Sequence, residues 1–64
     1  MEDFSFRSWP AAKGGGVLII GRSLAAKAWI LKQYGEAARI GARTIGYRVP
    51  LADLHREKQR LTRI

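Results

Sequence analysis

His55 is the only histidine in the chain, and cysteine is absent. One imidazole cannot hold a metal by itself, and a thiolate zinc site is excluded. No serine or threonine sits in a pattern that pairs a nucleophile with a base. The expectation is a protein with no enzymatic activity, no catalytic residue, no cofactor and no metal site. His55, between Asp53 and Glu57, reads as helix surface. The chemistry that remains is anion binding. Twelve lysines and arginines stand against five acids, a net charge of +7 on 64 residues. Residues 1–32 hold five basic and two acidic side chains, and residues 33–64 hold seven and three. The charge is therefore spread along the chain and is not a basic tail on a neutral body. It suits DNA, RNA or an anionic membrane surface.

Two groups of cations are placed to meet a polyanion. Arg22, Ser23 and Lys27 open the longest helical stretch, and Lys32 lies in its last turn. Helix N-termini and their first side chains contact phosphates and base edges, and arginine reads guanine with two hydrogen bonds. The plainer reading is that Ser23 is only a cap and the cations are solvated. Arg43 and Thr44 sit at a glycine-flanked tip, with Arg39 and Arg48 on the segments either side. A narrow minor groove attracts arginine, while an ordinary polar turn would look the same. Alternation can bring Arg39 and Arg48 to one face if the register allows it. Trp9, Trp29, Tyr34 and Tyr47 could stack on bases. Core packing is the expectation for both tryptophans, since few other large residues can fill so small a core. Arg56, Lys58, Arg60 and Arg63 form either a phosphate-binding tail or a solvated face, where Asp53 and Glu57 can pair with Arg56 and Arg60.

Two motif matches fail on inspection. Residues 16–23 have the outline of a phosphate-binding loop, but Arg22 stands where lysine is required and the interior is four apolar residues. Residues 36–41 resemble the first half of a helix-turn-helix. Its second helix would run through Gly46 to Pro50, both poor in a helix interior.

The elements that must position these cations can be read from local signals. Phe4-Ser5-Phe6-Arg7 alternates at the strand period. Ser8 can cap a short helix over 9–13, which the three glycines at 14–16 end. Val17-Leu18-Ile19-Ile20 is either a strand or a buried connector. Ser23 caps a main helix over 24–34, and Gly35 closes it. That helix is apolar nearly all round and needs cover on more than one side. Residues 38–40 and 47–49 read as the two strands of a β-hairpin with a basic tip. Pro50 opens a last helix over 51–61, with Leu51, Leu54 and Leu61 on one stripe and Lys58 laid along it. Residues 62–64 form a basic tail. The whole is an α+β chain, a single domain over 1–64. A helix followed by a basic-tipped hairpin is the layout of a small winged helix-turn-helix DNA-binding domain with a β-hairpin wing.

Three stretches resemble the small excisionases of phages and integrative elements, the recombination directionality factors of the AlpA and MerR-like winged-helix group. They are Phe4-Ser5-Phe6-Arg7-Ser8-Trp9, then Arg22-Ser23-Leu24 with Trp29-Ile30, and finally the run from Arg39 to Arg48 with its proline-led helix. The resemblance implies a DNA-binding accessory factor without catalysis. Copies would bind side by side at an attachment site on double-stranded DNA and bend it, helping a tyrosine integrase excise the element. A transcriptional regulator on the same fold, or a basic RNA-binding protein associated with the ribosome, are the alternatives. A membrane-active peptide ranks last, because 24–34 lacks a basic face. No run reaches the roughly 18 apolar residues of a membrane span, and the acidic start has no signal-peptide layout, so the expected location is cytoplasmic.

Overall fold

A computed structural model of the chain describes residues 3–9 and 15–63. Its elements are strand β1 (Phe4–Trp9), strand β2 (Gly16–Gly21), helix α1 (Leu24–Tyr34), a 3-10 turn (Gly35–Ala38), strand β3 (Gly46–Pro50), a second 3-10 turn (Leu51–Asp53) and helix α2 (Leu54–Thr62). This is a small α+β architecture with two helices and a three-stranded antiparallel sheet, ordered β1-β2-β3.

The run at 17–20 is a strand, and it is the central one. Its continuous apolar character accompanies a central position between two neighbouring strands, where none of its side chains is fully exposed. The register places Phe6, Ile19 and Tyr47 in one row and Ser8, Val17 and Val49 in the next. Side chains alternate across a sheet, so these rows share a face with Phe4. Phe4, Ile19, Tyr47 and Val49 are buried there against Ala26 and Ile30 of α1, Ala38, Ile45 and Leu61 of α2.

Helix α1 has the expected ends. The Ser23 Oγ accepts a hydrogen bond from the Ala26 N–H at 3.0 Å. Gly35, at φ 62°, donates its N–H to the Leu31 carbonyl in a conformation that favours glycine. Trp29 projects into the core, edge-on to Phe4 with centroids 6.2 Å apart. Tyr34 stacks on Tyr47 at 4.4 Å.

Helix α2 packs on the same side of the sheet. Leu61 is buried, Lys58 lies 5.3 Å over the Phe6 ring, and Arg60 lies 5.1 Å over Trp29. Arg60 also donates to the Gln33 Oε1 at 3.0 Å, which ties α2 to α1. The Tyr47 hydroxyl donates to the Glu57 carboxylate at 2.7 Å.

Four expectations need correction. The hairpin over 38–49 does not form as two paired strands: β3 pairs with β2, and the other segment contributes a single bridge, Arg39 to Ile45. The central strand offers Tyr47 and Val49 the large buried Ile19 as a partner, whereas residues 38–40 bury only the small Ala38. Core packing, expected for both tryptophans, holds for Trp29 but not for Trp9, which alternation places on the sheet face away from the helices. Trp9, read as the start of a short helix, ends β1; residues 10–13 of that helix lie outside the described residues. Helix α2 begins at Leu54 and not at Leu51, which sits 57% exposed in the preceding 3-10 turn.

Candidate nucleic-acid interface

The expected cations divide among three places. The first is the end of the sheet where β2 hands over to α1. Gly21 donates its N–H to the Ile45 carbonyl at 2.8 Å, and Arg22 donates its N–H to the Asp3 carbonyl at 2.8 Å. The loop that leads into β3 is closed by the Arg39–Ile45 bridge and by the Ile40 N–H bonding to the Thr44 carbonyl at 3.2 Å. These bonds hold the N-terminus of α1 and the loop carrying Arg43 and Thr44 at one end of the sheet. Arg22 and Arg43 are exposed there. Lys27 is one turn into α1, where its N–H makes the 3.0 Å bond to the Ser23 carbonyl, and its residue is partly buried.

This end is built by backbone hydrogen bonds, so its geometry does not depend on the cations themselves. Arg22, Lys27 and Arg43 make no ion pair with another described residue; the two such pairs are Glu36–Arg39 and Glu57–Arg60. Asp3 meets Arg22 through its carbonyl oxygen and forms no ion pair with it. The helix N-terminus adds its partial positive charge and its free N–H groups to the same region.

The second place is the outer side of α1. Lys32 is exposed in the last turn, eight residues beyond the helix start and hence about 12 Å away along the axis. The same outer side of the helix carries Leu24, 85% exposed, and the exposed Ala25 and Ala28. Of the second side of α1, expected to need cover, Leu31 packs against the core and Tyr34 stacks on Tyr47, while Leu24 stays exposed.

The third is divided. Arg39 is paired with Glu36 at 3.2 Å, both side chains being more than half exposed, so its charge is locally offset at little gain in stability. Arg48 lies on the sheet face away from the helices, its guanidinium 5.2 Å from the Trp9 ring centroid. The shared face imagined for Arg39 and Arg48 is not formed, because their segments are not paired strands.

Arg7 and Trp9 were not among the expected site residues, yet they lie on the same sheet face as Arg48. The register aligns Arg7, Leu18 and Arg48 in one row and Trp9, Gly16 and Pro50 in the next. The signal was present in the sequence: Arg7 and Trp9 are two residues apart, the strand period. Reading Trp9 into a helix hid it. Arg60, read as a solvated or tail residue, instead bridges the two helices.

The described residues also form a groove of about 370 Å³ lined by Tyr34, Ala37, Ile40, Tyr47 and Arg48. They contain no group of His, Asp and Glu residues placed to hold a metal, and no helix long and apolar enough to cross a membrane. Compared with protein-family models, with curated proteins and with solved structures, the chain finds no match in any of the three.

Proposed function

We propose that this chain is a sequence-specific, double-stranded-DNA-binding architectural protein of the excisionase type, acting in the cytoplasm without catalysis. The observation that carries this reading is the convergence of Arg22, the α1 N-terminus, Lys27, Arg43 and Thr44 at one end of the sheet. A rigid helix end and a short basic loop beside it are what a winged-helix-like domain brings to a duplex. The 39–45 loop takes the part of an abbreviated wing. The helix end approaches a phosphate through its N–H groups, and Arg22 and Arg43 engage backbone or guanine edges on either side. The bare Leu24, Ala25 and Ala28 stripe gives neighbouring copies on DNA an apolar side to share, with bending of the attachment site and support of a tyrosine integrase as the outcome.

The test is fluorescence anisotropy on duplex DNA from the flanks of the protein's own gene, repeated over a salt series, with scrambled duplex and an RNA hairpin as controls. Each neutralising change, Arg22→Gln or Arg43→Gln, should lower the slope of log K against log salt by about 0.9, the release of one phosphate contact. Isotherms on a multi-site fragment should be cooperative. Equal binding to all three nucleic acids with unchanged slopes in both variants would defeat the reading.

A further inference from the structure

Both helices cover one face of the sheet, and no described element lies across the other. The side chains on that open face follow from the register. Arg7 and Arg48 flank Leu18 in one row, with strands about 4.8 Å apart, so their backbones stand about 10 Å from each other. Trp9 closes the next row. A Cβ at Gly16 would meet the Trp9 ring carbons Cε3 and Cζ3 at 2.6 and 3.1 Å. The indole therefore occupies the space that a side chain at position 16 would take, and it lies across the sheet. The Arg48 guanidinium sits over that ring at 5.2 Å.

We infer that this open face is a second nucleic-acid site, one that takes a single strand. Three properties point to that occupant. The face carries two arginines, no acid, and no ion pair with another described residue. A second copy packed face to face would bring four arginines together, so the charge selects a polyanion. The Arg48 guanidinium sits over the indole, and an unpaired base can stack against either group, since bases stack on aromatic rings and on guanidinium planes alike. Leu18 and Ile20 are partly exposed between them and supply an apolar floor. A duplex presents its bases edge-on in a groove and leaves such a platform unused. Arg7, one strand spacing beyond Leu18, is left to meet the phosphates. This site is separate from the duplex-binding end described above and does not depend on it.

Amide and indole NMR shifts of the ¹⁵N-labelled chain, titrated with an oligothymidine single strand and with a duplex of equal length, test the assignment. The single strand should move the Trp9 indole and the Arg7, Leu18 and Arg48 amides, and the duplex should move those of Arg22, Lys27 and Arg43. The Arg7→Gln/Arg48→Gln double variant changes only exposed side chains and should bind the single strand at least about tenfold more weakly, the equivalent of losing one stacked base, with duplex affinity unchanged. Shifts confined to the Arg22 and Arg43 end with both nucleic acids would overturn the inference. So would a duplex that moves the open face as strongly as the single strand, or concentration-dependent shifts of that face without any nucleic acid, which would reassign it to a second copy. Single-strand shifts on the open face with no duplex binding would sink the duplex reading and leave this one standing.

Discussion

Replacing Tyr47 by Phe removes one oxygen from the centre of the structure and tests how the two helices are held to the sheet. The Tyr47 residue is 7% exposed, and its hydroxyl donates to the Glu57 Oε1 at 2.7 Å. The Glu57 side chain is only 14% exposed, and its other partner is Arg60, at 3.4 Å. A hydrogen bond to a charged group contributes about 1.5–3 kcal/mol. The carboxylate keeps Arg60 and some water, so the lower end applies and Tyr47→Phe should cost about 1.5 kcal/mol. For a domain of this size that corresponds to a fall in Tm of roughly 6–12 °C.

The same bond predicts a pH dependence. Burial first, then the hydrogen bond to Glu57 and the charge of that carboxylate, hold the Tyr47 hydroxyl above the ordinary tyrosine range. The folded chain thus keeps a proton that the unfolded chain releases near pH 10. The stabilisation is complete below that value and is lost as pH rises above it, at a limiting rate of about 1.4 kcal/mol per pH unit. Urea unfolding of both proteins at about pH 7, 9.5 and 11 should show the stability gap steady at first and shrinking at the highest pH. A gap below about 0.3 kcal/mol at neutral pH, or one that widens in alkali, would refute the argument.

Two further substitutions test other joints. Ser23→Ala removes the acceptor for the Ala26 N–H and should lower stability by about 1 kcal/mol, while Ser23→Asp should retain most of it; urea midpoints separate the two. Gly16→Ala would place a Cβ 2.6 Å from the Trp9 ring and 2.8 Å from the Val49 carbonyl. The indole can shift but the carbonyl is fixed in the ladder, so a loss of about 1–3 kcal/mol and an altered near-ultraviolet circular dichroism of Trp9 are expected.

The parts legible in the sequence are those written in short-range signals. Ser23 and Gly35 bound α1 because caps act within one turn of the residue that supplies them. The alternation from Phe4 to Arg7 marked β1, and the Leu54 and Leu61 stripe with Lys58 marked the packed side of α2. The net charge of +7 was sufficient to expect a polyanion partner. None of these required knowing what lies across from them.

Strand pairing lies beyond that reach. Residues 46–50 had two available partners, the nearby 38–40 segment and the distant 17–20 run. A hairpin is the economical choice by loop length, but only the distant pairing buries Tyr47 and Val49 against Ile19 and the helices. That choice made 17–20 the central strand, released the 39–45 segment as a loop, and brought that loop beside the start of α1. It also turned Arg48 and Trp9 to a face they share with Arg7. Caps, periodicity and charge are local or additive properties of the chain, and the sequence by itself determined them. Which cations stand together depends on contacts between segments some 30 residues apart, where burial outweighs proximity, and only the tertiary structure decided that.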